Sequence, residues 1–397
     1  MTPEFNTHLT RDTKGLTSLI VAGTLAVVVA YAGPLAILFR AADIAKLPGQ
    51  AVSSWVWSVS IGAAISGLFL SWRLRQPIIT AWSAPGSALL VTVIPGLTLN
   101  EVIGAYVVAG IAVTLLGVTG VFDRILKNIP AGIASGMLAG ILFQFGTNIF
   151  RATAHRPLLT LTLLCVYLLF RRAAPRYCLV LMLPIGCLLA YFTGPTNFHS
   201  FALTLSEPSF TVPAFTWHAT VSLALPLVLV SVTGQFLPGF SILRSSGYAT
   251  PTRPVLVTTG LSSIAIAFTG GITIVLAAIT AAICTGPDAH QNPAKRYIAG
   301  LASGTVYAIG GLFASSVVML FAVLPTEFVA ILAGLALLSA IATNLSVMVE
   351  DAPHREAGLL TFIATASNMN VFGLGSAFWG IVIGVVAQVI LSFRRVK

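Results

Sequence analysis

Apolar runs of roughly 18 or more residues recur from Leu16 to Leu391, each about long enough for a helix to cross a ~30 Å hydrocarbon core. No other feature constrains the chain as much. Of its 397 residues 57% are hydrophobic and 8% charged, whereas a soluble domain carries about 25% charged residues. The mean hydropathy is +0.95. Such a chain cannot be solvated as a globule, and the expected fold class is an all-α integral membrane protein.

Windows of about 19 residues place fourteen spans, near 16–39, 52–71, 77–94, 99–121, 129–149, 157–171, 177–193, 219–240, 254–269, 271–286, 296–322, 326–348, 356–371 and 373–392. With the N-terminus in the cytoplasm, 17 of the 21 Lys and Arg fall on the cytoplasmic side and only Arg40, Lys46, Arg151 and Arg156 on the other. Basic residues retained in cytoplasmic loops set orientation, so the split supports an even span count with both termini inside. The cations are scattered in ones, twos and threes, a pattern of membrane orientation rather than of a nucleic-acid surface. No removable signal peptide is read at the start, and the first span is expected to serve as its own signal.

Cys165, Cys178, Cys187 and Cys284 show neither metal-ligand spacing nor a disulfide framework. They are expected to pack. No Walker motif is present and no cofactor is expected.

The third and tenth spans differ from the rest. In Ile78-Ile79-Thr80-Ala81-Trp82-Ser83-Ala84-Pro85-Gly86-Ser87-Ala88 a β-branched stretch meets Ser-Ala-Pro-Gly, which starts a helix abruptly. The helix that follows has about ten residues, roughly 15 Å, or half a bilayer. The tenth span repeats this grammar: Gly270-Gly271 breaks the chain, Ile272-Thr273-Ile274-Val275 is β-branched, and Ala277 to Ala282 is helical. The two breaks fall third in each set of seven spans. Because seven is odd, the halves must be inverted, and paired broken segments mark a substrate site at the repeat interface. The expected division is a tail 1–15, a first repeat 16–193, an external loop 194–218, a second repeat 219–392 and a tail 393–397.

The strings Thr80 to Leu90, Gly96-Leu97-Thr98-Leu99-Asn100-Glu101, Ala278-Ile279-Thr280-Ala281-Ala282-Ile283-Cys284 and Gly373 to Gly380 resemble the benzoate/proton symporter family, from about Gly15 to Leu391. The resemblance implies the fold of the uracil permease and anion-transporter superfamily. That fold has a core domain (segments 1–4 and 8–11) and a gate domain (segments 5–7 and 12–14), with segments 3 and 10 each a short strand plus a half-helix. The resemblance also implies proton-coupled import of a small aromatic carboxylate. Nucleobase permeases of the superfamily carry an acid in segment 8, where Val232-Thr233-Gly234-Gln235-Phe236 offers neutral Gln235. A buried acid would repel a carboxylate, so the departure favours an acid over a nucleobase as substrate.

Two helix N-termini could bind a carboxylate without a cationic side chain, each presenting free N–H groups and about half a positive charge. Ser83, Ala84, Pro85, Gly86 and Ser87 form one such end, and Gly271, Ile272, Thr273, Ile274 and Thr280 the other. Gln235 adds an amide donor, and Tyr31 and Phe236 could flank an aromatic ring. Taken singly, each hydroxyl or ring reads as ordinary helix packing. Asp288 and His290, just after the segment 10 half-helix, are the acid–histidine neighbourhood expected to carry proton coupling, although a solvated loop pair reads as well. The ladder Gly132, Gly136, Gly140, Gln144 and Asn148 reads as close helix packing, with homodimerisation through it as a second reading. Asn368 and Asn370 read as caps. An intramembrane enzyme would need paired acids, a His cluster or a Cys/His pair within the spans, and none is seen. A nucleobase or inorganic-anion permease and an uncoupled anion channel remain on the same fold.

Overall fold

The computed structural model describes residues 3–122, 130–174, 178–193, 203–287, 289–322, 325–369, 371 and 376–393. Asp288, Asn370 and Gly373 to Gly375 lie outside the described residues. Helices, or a strand with a helix, occupy the positions of all fourteen expected segments among the described residues. Segments 1, 2, 4, 5, 8 and 12 are continuous enough and apolar enough to cross a bilayer.

Local chemistry sets the breaks. Segment 1 is two helices, Pro3–Ala32 and Pro34–Ile44, divided at Gly33. Pro34 lacks an N–H and cannot continue the first helix, but its fixed φ suits the start of the second. Segment 8, Trp217–Arg244, contains two π-helical stretches, Thr220–Ala224 and Val232–Phe236. Pro226 and Pro238 each follow one by two residues. A proline ring clashes with the carbonyl four residues back, and the wider turn accommodates it. Segment 4, Leu99–Thr119, opens on a capping box of Thr98 and Glu101 and ends at Gly120 with φ +66.

Segment 11 departs from the single expected span. It bends by 73° between Pro293–Leu312 and Ala314–Phe321. At the bend, Ser315 Oγ lies 2.7 Å from Ser53 Oγ, and its N–H donates to Ser206 Oγ at 2.6 Å. These hydroxyls serve polar groups that a straight helix would keep to itself.

The helix pairings repeat by halves. Segment 4 packs along segment 9 as segment 11 packs along segment 2, while 5 packs on 12 and 2 on 9. Exchanging segments n and n+7 leaves this pattern unchanged, as two inverted repeats require. Segment 13, Arg355–Ala366, packs on segments 5 and 14. The glycine ladder is consumed there: a Cβ on Gly132 would meet Asp351, on Gly136 the Gly358 carbonyl, and on Gly140 Thr365. These three glycines of the ladder are internal packing. Asn368, with φ 55, turns the chain out of segment 13 as the capping expectation has it.

Candidate functional site

Segments 3 and 10 meet through a two-stranded antiparallel ladder, β1 Thr80–Trp82 on β2 Ile274–Leu276, with Thr80 opposite Leu276, Ala81 opposite Val275 and Trp82 opposite Ile274. Ser83 N–H donates to the Thr273 carbonyl at 3.0 Å and Ala277 N–H to that of Ile79 at 2.9 Å, extending it at both ends. All six strand residues are buried. The second strand sits two residues later than its β-branched run suggested, and its helix runs Ala278–Thr285. Pairing with β1, not local propensity, sets this register. Gly270 has φ +92 and lies against Trp55 with no room for a Cβ, so it makes the turn that feeds β2.

Each strand leads directly into a half-helix. The positive ends of both therefore face the ladder, about 13 Å apart along it by the strand rise from Ser83 to the level of Ala277. They flank the crossing from opposite ends and do not meet at a point. The first, Ala84–Val93, is capped by its own sequence: Gly86 N–H donates to Ser83 Oγ at 3.0 Å and Ser87 N–H to the Ser83 carbonyl at 2.8 Å. Pro85 has no N–H, so Ala84 is left as the unused first-turn donor. The second half-helix starts at Ala277 with no side-chain cap.

Gly86 does not hold space for a ligand. A Cβ there would lie 2.5 Å from Leu227 Cδ1 and 2.9 Å from Ser83 Oγ, so this glycine lets segment 8 pack against the half-helix.

A cavity of about 350 Å³ opens beside the first half-helix. Ala84 and Pro85 form one wall, Thr233 to Gln235, Leu237 and Pro238 of segment 8 another, and segments 5 and 12 close it with Ser135, Ser339, Thr343 and Asn344. Among the described residues, none that lines it is charged. The structure thus brings together Ala84, Pro85 and Gln235 of the expected site. Gln235 is half-buried.

Other expected residues lie elsewhere. Phe236 is fully buried, with its ring edge-on to Phe122 at 6.4 Å. It is core, because successive residues of a helix point in different directions. Gly271, Ile272, Thr273 and Ile274 are buried in and before β2 and do not line the cavity. Thr273 Oγ1 lies 3.4 Å from Ser231 Oγ. Ser83 and Ser87 serve the cap, Ser87 Oγ donating to the Ser83 carbonyl at 3.0 Å. Tyr31 is hydrogen-bonded to Ser60 at 2.6 Å and packs near Trp82 and Tyr307. His290 does not line the cavity: its Nδ1 accepts the Asn292 N–H at 2.9 Å, and its ring abuts Gly15. Arg296, 6% exposed, donates to the Thr285 carbonyl at 2.7 Å and so closes the C-terminal end of the second half-helix.

Sequence reasoning missed Ser135, Ser339, Thr343 and Asn344, which have no motif and are polar positions in otherwise apolar helices.

A family model described as benzoate membrane transport protein matches residues 14–390, nearly the whole chain. The chain belongs to the benzoate membrane transport protein family. It is 51% identical over 374 residues to the benzoate membrane transport protein of Acinetobacter baylyi, covering 94% of this chain and 95% of that one. To the inner membrane protein YdcO of Escherichia coli it is 37% identical over 373 residues, with the same shares covered. Members of this family are membrane transporters, not enzymes. Among solved structures, SLC26A9 superposes with a TM-score of 0.65 at 13% identity, covering 95% of this chain and 66% of that one. The transmembrane domain of the cyanobacterial bicarbonate transporter BicA gives 0.60 at 17%, covering 96% and 97%. At such identities the likeness is one of fold: a multi-pass membrane architecture of the anion-transporter type.

Proposed function

We propose that the protein imports benzoate or a related small aromatic carboxylate across the inner membrane, coupled to protons, by alternating access. The observation that carries this is the cavity at the start of the segment 3 half-helix, walled by neutral Gln235 and with no charged side chain among its described lining residues. A carboxylate there meets a positive helix end and no opposing acid, while the apolar lining suits a ring. The name of the 51% identical relative supports the same substrate, and that of the 37% identical one supports the inner membrane.

Segments 1–4 and 8–11 act as a core that carries the half-helices, and segments 5–7 and 12–14 as a gate. The cavity lies between the two groups. Its lining includes Ala131 and Val347, at the ends of segments 5 and 12 that the basic residues mark as cytoplasmic. This reading takes both termini as cytoplasmic, from the distribution of basic residues. Since none of the described lining residues is an acid or a histidine, we assign proton coupling to Asp288 and His290, which follow the second half-helix in sequence; the His290 ring abuts Gly15 at the start of segment 1.

Thermal-shift titration of the purified protein with benzoate, salicylate, uracil and sulfate tests the substrate class. Stabilisation by the two aromatic acids alone is expected. Stabilisation by uracil or sulfate alone would move the assignment to a nucleobase or inorganic anion.

A further inference from the structure

Arg171, near the end of segment 6 (Pro157–Ala173), donates from Nη2 to Ser339 Oγ at 2.8 Å. Ser339 lines the cavity beside the first half-helix, so a cation stands directly behind a wall in which no described residue is charged. Its depth is informative. Segment 12 runs on from Ser339 to Glu350, about three turns or roughly 16 Å at ~1.5 Å per residue. The guanidinium head is therefore held well inside that helix end, where a charge is costly unless it faces a water-filled cavity or a partner. An arginine that only marked the end of its own helix would extend the other way, toward the headgroups.

No acid accounts for this placement. Among the described residues the ion pairs are Arg40–Asp43, Arg156–Glu327 and His354–Asp351, and none takes up Arg171. The bond to Ser339 also sets what that hydroxyl can do. Its oxygen accepts from Arg171, which leaves its hydrogen to donate into the cavity that Ser339 lines, and the adjacent charge strengthens it as a donor. Its neighbours on the same wall behave differently. Thr343 Oγ1 donates to the Ser339 carbonyl at 2.9 Å and Asn344 Nδ2 to that of Ala340 at 2.8 Å, so both turn a donor back on their own helix.

A carboxylate only accepts hydrogen bonds and carries the charge that a guanidinium favours. We propose that Arg171 is a positioning residue for the substrate anion: acting through Ser339, it presents a polarised hydroxyl donor on the segment 12 wall of the cavity and places a positive potential behind it. The inference rests on an aromatic carboxylate being the substrate. It gives the anion a partner on segments 6 and 12, the wall that faces the half-helix, and favours an acid over a neutral aromatic of the same shape.

Calorimetric titration of benzoate into the wild type, Arg171→Gln, Arg171→Lys and Ser339→Ala tests this. Arg171→Gln keeps a hydrogen-bond donor and removes the charge, so it should bind about fivefold more weakly at low salt, about 1 kcal/mol. Wild-type affinity should fall as salt rises from about 20 mM to about 500 mM, and that of Arg171→Gln should change much less. Arg171→Lys restores the charge and should recover most of the affinity and of the salt response. Ser339→Ala should also bind more weakly, and combining it with Arg171→Gln should cost less than the two separate losses together, because the pair acts as a unit. Unchanged benzoate affinity in Arg171→Gln or in Ser339→Ala, with the wild type binding normally, would overturn the assignment. Equal losses in Arg171→Gln and Arg171→Lys with the salt response intact would show a structural contact only, and would overturn it as well. Ser339→Ala leaves segment 6 untouched, so it decides the question should Arg171→Gln fail to fold. Failure of the wild-type protein itself to bind benzoate would instead remove the function on which the inference rests, and the assignment with it.

Discussion

Asp351 Oδ2 accepts the backbone N–H of Gly132 at 2.7 Å, tying the end of segment 12 to the first turn of segment 5. His354 Nδ1 lies 2.9 and 3.1 Å from the two carboxylate oxygens. The carboxylate thus caps a helix that has no capping side chain of its own, since its N-cap is Pro130.

Removing it with Asp351→Ala should cost about 1 kcal/mol, the usual loss of a good cap. Burial alone would push this carboxyl up, but the His354 and Gly132 bonds outweigh it and hold it below the ordinary Asp range. A depressed folded value means that the contribution is present above the unfolded value, about 3.9, and is lost as pH falls through the folded one. The melting difference between wild type and Asp351→Ala should therefore be flat from about pH 7 to about pH 5 and shrink below about pH 4. A difference that stayed unchanged well below pH 4 would mean that the charge contributes nothing.

At the cavity, Gln235→Glu should weaken benzoate binding more than Gln235→Ala at neutral pH, because a second anion would face the substrate. The gap should narrow at acidic pH as the new carboxyl protonates. Equal affinities of the two variants at neutral pH would place the substrate away from segment 8. Gly86→Val is a poor probe of the anion site: its side chain would strike Leu227, so it should lower the melting temperature before it informs on binding.

The crossing of segments 3 and 10 was legible because its signals are local. Ser83 as cap, Pro85 in the first helical turn and Gly270 at positive φ each act within a turn of chain. The register of β2 was not: Ile272-Thr273 and Val275-Leu276 have similar strand propensity, and only pairing with Thr80 to Trp82 chooses between them. The bend after Leu312 depends on Ser53 and Ser206, which are distant in sequence. Phe236 follows Gln235 in sequence, but its ring packs in the core against Phe122, a placement that adjacency in sequence does not reveal.

Orientation is tested by single cysteines at Thr7 and Val396 in a background without the four native ones. Both should be shielded from an impermeant external thiol reagent in intact cells and react after permeabilisation. Labelling of only one in intact cells would require an odd number of spans and would break the inverted-repeat account of the charge split.

Transport by a carrier, with a site exposed to one side at a time, is measured most directly by counterflow. Proteoliposomes preloaded with unlabelled benzoate should transiently accumulate labelled benzoate, with a rate that saturates with external substrate and an initial uptake that rises under an inward proton gradient. Salicylate should compete, and uracil should not. A benzoate flux that grows linearly with concentration and shows no counterflow would contradict alternating access and leave an anion channel on the same fold.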